Sequence, residues 1–309
     1  MALHAHELAL GGSVYHREYL DFDNENTTDY NLFARGRIDV SRDFQVRLGA
    51  DFGHVTEDRY AAGSFGASVA AESDRSNVYA SALYRNDRIQ LEGAVGAPTQ
   101  ATDQLSQPFR SHDSTYVSGR ASYAISPDVA VFVQARQDDQ DYSQSTRDGS
   151  RTTVDAGVNF ELGAPFRGEI AVGQFKDDRD DPAFGDADGL NVAGNLKWFP
   201  TELTTVTFLA NRGVADPGLA TSATAINSGF GVRVDHELMR NVLLYGNLRQ
   251  ETTEYEGAAI DREDDVFSAA LGGAYKMNRN IHVEFDLSTR MQGSSGTQAG
   301  PEADENVVR

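Results

Sequence analysis

Cysteine is absent from the 309 residues, which excludes a disulfide framework, a thiolate metal site and a cysteine nucleophile. No run of ~20 apolar residues is present, so no segment can cross a bilayer as a helix. Basic charge is scarce: 27 Lys and Arg stand against 47 Asp and Glu, a formal net charge of -20 and a pI near 4.6. Phosphate recognition needs a basic surface, so nucleic acid is not expected as a partner. The start, Met1-Ala2-Leu3-His4-Ala5-His6, has neither a basic stretch nor an apolar core and does not read as a signal peptide.

What the chain does have is a period of two. In Ile281-His282-Val283-Glu284-Phe285-Asp286-Leu287-Ser288-Thr289-Arg290-Met291 every odd position except Thr289 is a sizeable apolar residue, and every even position is polar. Successive strand side chains point to opposite faces, so this is a strand with one greasy and one wet face. The pattern recurs. Val154, Ala156, Val158, Phe160 and Leu162 alternate with Thr153, Asp155, Gly157, Asn159 and Glu161, and Phe44, Val46, Leu48, Ala50 and Phe52 with Gln45, Arg47, Gly49 and Asp51.

Strands are expected over 6–19, 29–40, 44–54, 77–86, 88–97, 114–126, 129–138, 152–162, 166–176, 189–199, 204–213, 224–238, 241–251, 265–277 and 281–291, each long enough to cross a membrane at a tilt. Their connections alternate in length. Short ones include Ser41-Arg42-Asp43, Asp87, Ser126-Pro127-Asp128 and Met239-Arg240, and long acidic ones cover 55–76, 98–113, 139–151, 177–188 and 252–264. Phe44, Tyr84, Tyr123, Phe160, Trp198 and Tyr275 share the apolar parity and lie near short turns, where amphipathic rings would meet lipid headgroups. Short turns, long loops and an aromatic girdle are the features of an outer-membrane barrel. The mean hydropathy of -0.47 is compatible, because only alternate residues meet lipid.

The expected fold is therefore all-β, a transmembrane antiparallel up-and-down barrel forming one domain over 1–309, with about fifteen strands in this chain. The first and last of those strands run in the same sense, and the tail Glu305-Asn306-Val307-Val308-Arg309 starts a further alternation. On this reading the chain is truncated at both ends.

Catalytic constellations are not legible. His4 and His6 share one strand face but have no third ligand nearby. Ser111-His112-Asp113 holds hydrolase residue types in adjacent positions that cannot form a triad. Asp186-Ala187-Asp188-Gly189 lacks the distal glutamate of a calcium loop. No enzymatic centre, metal or cofactor is expected. The polar parity instead gathers a candidate lumen lining: Arg35, Arg37, Arg47, Arg120, Arg136, Glu161, Glu169, Lys197, Arg233, Arg249, Glu284, Asp286 and Arg290. Acid and base are nearly balanced when Asp39, Asp51, Glu92, Asp155 and Asp235 are added, which suits polar solutes without strong selection by charge.

Several stretches resemble the putative β-barrel porin 2 family: Leu238-Met239-Arg240-Asn241-Val242-Leu243-Leu244, Glu254-Tyr255-Glu256, Asp261-Arg262-Glu263-Asp264-Asp265, Arg167-Gly168-Glu169-Ile170-Ala171-Val172-Gly173, Pro200-Thr201-Glu202-Leu203-Thr204-Thr205-Val206-Thr207 and Asn278-Arg279-Asn280-Ile281. The resemblance covers nearly the whole chain and is more specific over 120–290. It implies a barrel of roughly 16–18 strands in the Gram-negative outer membrane. It also implies a passive pore for exopolysaccharide or capsule export, with outer-membrane lipid, polysaccharide and periplasmic export proteins as partners. The alternatives are a general diffusion porin, a structural or adhesive surface barrel and, less favoured, a barrel enzyme.

Overall fold

The computed structural model describes residues 6–18, 26–57, 71–102, 107–163, 165–257, 260–279, 281–300 and 302–308. Its first eight strands are β1 His6–Arg17, β2 Thr27–Asp39, β3 Phe44–Thr56, β4 Glu72–Asn86, β5 Ile89–Thr102, β6 His112–Ser126, β7 Val129–Tyr142 and β8 Gly149–Leu162. Then follow β9 Phe166–Arg179, β10 Ala187–Thr201, β11 Thr204–Ala215, β12 Thr224–Met239, β13 Val242–Glu256, β14 Glu263–Lys276, β15 His282–Ser295 and β16 Ala303–Val308. All sixteen belong to one sheet in sequence order, each paired antiparallel with its chain neighbours. One-turn 3-10 helices at Pro108–Arg110 and Ser145–Arg147 are the other regular elements among the described residues. The fold is the all-β, up-and-down sheet expected.

Two expectations need correction. The strand count is sixteen, because Ala303–Val308 pairs with Leu287–Gln292. The alternation noted in the tail from Glu305 is the second half of this strand. With β16 returning, the first and last strands run in opposite senses, so the expected conflict of direction at the ends disappears. Among the described residues no ladder joins β1 to β16.

The strands also run further into the long connections than alternation indicates: β9 continues through Asp177-Asp178-Arg179, read above as loop. Apolar alternation stops where the outer surface leaves lipid, but backbone pairing need not stop there. The outward positions beyond that limit, Gln137, Asp139, Lys176, Asp178 and Arg212, are polar.

Short turns are closed by local chemistry. The hydroxyls of Ser41, Ser126 and Thr201 each accept the N–H two residues on, from Asp43, Asp128 and Leu203 at 3.3 Å, an arrangement that favours turns. Asp87 takes φ 47 in its two-residue hairpin, a left-handed conformation that Asp tolerates better than most residues. The register shifts at Ala124/Ser126, Trp198/Thr201 and Glu237/Met239 lie beside short turns.

Register fixes the faces. Phe44 stands opposite Tyr84, Tyr84 opposite Leu91, and Trp198 opposite Phe166, with the Trp198 and Phe166 rings stacked at 6.5 Å. This face carries exposed Leu48, Val95, Val133, Val154, Val172, Phe230, Leu248 and Leu271. Such a continuous apolar exterior is what lipid would cover. A soluble protein would bury it.

A candidate passage lined by paired charges

The opposite face holds the charge. The cross-strand ladders place all thirteen candidate residues on it: Arg35, Arg37, Arg47, Arg120, Arg136, Glu161, Glu169, Lys197, Arg233, Arg249, Glu284, Asp286 and Arg290.

Most of these charges are paired. Arg35 meets Asp51 at 3.1 Å, Arg37 meets Glu7 at 3.1 Å and Arg249 meets Glu251 at 2.8 Å. Arg136 and Arg233 clasp Asp138 and Asp235, two residues along their own strands. Arg120 reaches over β7 and β8 to Glu169 at 2.7 Å, and Arg167 pairs with Glu161. Tyr245 donates to Asp286 at 2.7 Å. Neutral links extend this network: Gln134 and Asn191 both donate to Asp155, at 3.0 and 2.7 Å.

Six aromatic residues of this face lie along the wall rather than standing up from it. Phe33, Tyr79, Tyr116, Phe132, Phe175 and Tyr245 are each directly opposite a glycine: Gly11, Gly49, Gly96, Gly157, Gly189 and Gly272. A Cβ added to any of these glycines would meet the facing ring. The missing side chain therefore leaves a shelf on which the ring lies, a device that also reinforces sheet glycines. Four arginines form a third layer, with guanidinium carbons above the rings of Phe33, Tyr116, Phe132 and Tyr245. Arg35 lies 4.7 Å from its ring centroid, Arg136 3.8 Å, Arg120 3.6 Å and Arg233 5.0 Å. Cation–π attraction of about 0.5–2 kcal/mol per pair thus holds these side chains along the wall.

The long-loop end is built differently. Asp177 is 0% exposed and receives hydrogen bonds from Arg151 at 3.0 Å, Arg179 at 2.6 Å and Thr224 at 2.6 Å. Arg110, 4% exposed, forks onto Glu57 and reaches Asp216 at 3.5 Å. Burial alone would lower the Arg110 pKa, but the hydrogen bond to Glu57 and the charges of Asp216 and Glu57 outweigh it and raise the value. Arg262 and Tyr255 converge on Asp264 at 2.7 and 2.8 Å.

Arg147, 2% exposed, differs from these. It donates to the carbonyl oxygens of Leu219, at 3.2 Å, and of Ser222. Phe109, Phe184 and Tyr142 surround it, with centroids at 4.8, 5.5 and 5.8 Å. Burial pushes its pKa down, and Arg179 and Arg110 act in the same direction. An ion taken out of water costs several kcal/mol. Hydrogen bonds to a charged group return about 1.5–3 kcal/mol each, so the carbonyl and ring contacts offset part of that cost, and the lowered pKa reflects the remainder.

Sequence reading missed this cluster. A signal was present: Arg110, Arg147 and Arg262 each stand one or two residues ahead of a strand. The other motifs fall apart in three dimensions. His112 opens β6 and its Nδ1 contacts the Arg110 carbonyl oxygen, while Asp113 belongs to the opposite face. Asp186 accepts the backbone N–H of Arg179 at 3.0 Å. His6 begins β1, and His4 lies outside the described residues. No group of three or more His, Cys, Asp or Glu able to hold a metal occurs among the described residues.

Among solved structures, the chain is similar to the FrpB iron transporter of Neisseria meningitidis. The TM-score is 0.53 at 10% identity, over 88% of this chain and 52% of that one. It is also similar to the ferric-catecholate import receptor Fiu of E. coli K12, with TM-score 0.50 and 9% identity over 96% of this chain and 63% of the receptor. The chain thus spans between about half and two-thirds of these receptors, and the likeness is one of fold. A bacterial polysaccharide outer membrane secretin aligns over 98% of this chain and 95% of its own at 12% identity, but its TM-score of 0.48 carries no argument. Comparison with curated protein sequences gives no match. The model of one family, described as putative beta-barrel porin 2, matches residues 2–309. With a lipid-type exterior, a charged inner face and that match over nearly its whole length, the chain belongs to the putative beta-barrel porin 2 family.

Proposed function

We infer that the charged face lines a water-filled passage through the outer membrane and that polar solutes cross it passively. The observation that carries this reading is the state of the wall charges: near-balanced, mutually paired and held along the sheet. A wall of that kind is wet and hydrogen-bonding but presents little net field, so it favours uncharged hydroxylated solutes over ions of either sign. A closed sheet of sixteen strands leaves an aqueous channel, wide enough for an extended glycan.

The proposed cargo is an exopolysaccharide or capsule glycan on its way out, delivered by periplasmic export proteins. This step rests on the family resemblance. No enzymatic step is proposed, since the reading needs only passage. Deleting the gene should abolish surface polysaccharide while its intracellular synthesis continues. Normal surface glycan together with lost uptake of a small nutrient would overturn export in favour of general diffusion. That second reading is favoured by one observation, the crowding of loops at the long-loop end.

A further inference from the structure

The connection between β11 and β12 does not stay near its own strands. Asp216 lies within hydrogen-bond distance of Arg110, which precedes β6, at 3.5 Å. The two connections are six strand spacings apart, about 29 Å along a sheet at ~4.8 Å per strand, so the chain must leave the wall to make this contact. Further along, the carbonyls of Leu219 and Ser222 accept from Arg147, which precedes β8. The Ser222 hydroxyl donates to the Glu256 carbonyl at 2.7 Å, on the other side, at the end of β13. Pro217, Ser222 and Ala223 are almost fully buried although they belong to a loop. Loops normally run over the surface; this one is held by connections on both sides of it. Beside it remains an open cavity of about 520 Å³, lined by Asn31, Asp51, Asn77, Gln100, Arg110 and Asp216 among others.

On the passage reading above, we propose that Asp216–Ala223 is the constriction of the passage, setting the largest solute admitted, and that Arg147 is the residue that positions it. Arg147 suits that task because its hydrogen bonds go to main-chain carbonyls of the segment itself, and the rings around it come from three separate stretches of chain. Phe109 precedes β6, Tyr142 ends β7 and Phe184 lies between β9 and β10. One side chain thereby fixes the bridge to three neighbours. Lysine would supply the charge but not the planar fork that spans two carbonyls while facing rings.

The test uses the full chain in planar lipid bilayers, with neutral oligosaccharides of increasing length as probes of the exclusion limit. It is repeated with Arg147→Ala and Arg147→Lys. The chain has no native cysteine, so Ala223→Cys gives a second readout through its rate of reaction with a polar maleimide. Arg147→Ala should raise conductance at least twofold, admit longer oligosaccharides and speed labelling at Cys-substituted position 223 by tenfold or more, with Arg147→Lys recovering only part of each. Faster labelling with an unchanged exclusion limit would overturn the constriction while leaving the passage intact. Unchanged labelling would overturn the role of Arg147. No conductance in wild type or any variant would overturn the passage reading, and the constriction with it.

Discussion

The short-turn end and the long-loop end of the same sheet are stabilised by different physics. At the short turns the contacts are local: a serine or threonine hydroxyl bonded two residues on, a two-residue hairpin at Asp87, and aromatic rings on the outer face. At the long loops the contacts join residues far apart in sequence. Arg110 meets Glu57 and Asp216, Asp177 meets Thr224, and Arg147 meets Leu219. The wall between them needs only a correct register, because each strand pairs with its chain neighbours. The contacts of Arg110 with Asp216 and of Arg147 with Leu219 need much of the sheet to be present before they can form, since a charge leaves water only once its partner is in place. Local signals therefore specify the wall, and assembly specifies the mouth.

That contrast can be broken first at its strongest point. Asp177→Ala would leave Arg179, 1% exposed at its side chain, and the half-buried Arg151 without their shared carboxylate. Removing one partner of a buried pair costs about 3–5 kcal/mol, so denaturant unfolding in lipid should show a loss of that order. A loss below about 1 kcal/mol would mean that the mouth is no more cooperative than the turns.

Next comes the lipid side of the wall. Leu248, exposed on the outer face of β13, should tolerate arginine poorly, with a cost of about 2–4 kcal/mol at mid-bilayer depth. The neighbouring Arg249→Leu substitution should cost much less, since that side chain faces the other way. Equal costs at the two positions would refute the assigned faces.

The glycine shelves give a smaller effect. A Cβ at Gly157 would run into the Phe132 ring and the Ile170 carbonyl oxygen, whereas one at Gly194 would meet only ordinary contacts near Ala210, the closest at 3.6 Å. Gly157→Ala should therefore destabilise by about 1–3 kcal/mol, as overpacking does, and Gly194→Ala by little. The difference is measured in the same unfolding assay. If Gly194→Ala proved as costly, ring placement would not be the reason for glycine at 157.

The smallest effect is expected at Arg233–Asp235, where both side chains are nearly half exposed. Arg233→Ala should change stability by about 0–1 kcal/mol, as exposed ion pairs do. A loss approaching that of Asp177→Ala would show that the wall charges are as strongly coupled as those of the mouth.

The period-two pattern of 281–291 determined which residues of β15 meet lipid, and the same reasoning placed Phe160, Trp198 and Leu244 on one face and Glu161, Arg233 and Arg249 on the other. Face assignment is legible because it depends only on the parity of a residue within its own strand. Turn residues such as Asp87 and Ser126 were legible for a similar reason, since their bonds close within two or three residues. The six ring–glycine pairs were not. Phe132 and Gly157 meet only in one register of β7 against β8, and a single sequence does not state that register. Nor did the acidic connections announce that Asp177 would be fully buried or that residues 216–223 would cross to Arg110. Those contacts depend on which loops the curled sheet brings together, and their stability comes from charges that leave water jointly. The sequence by itself thus determined the strands, their faces and their turns, through interactions spanning a few residues. The tertiary structure alone decided wall pairs that reach across strands, such as Arg120 with Glu169, and the bridge at the mouth, because both join residues that chain proximity never brings together.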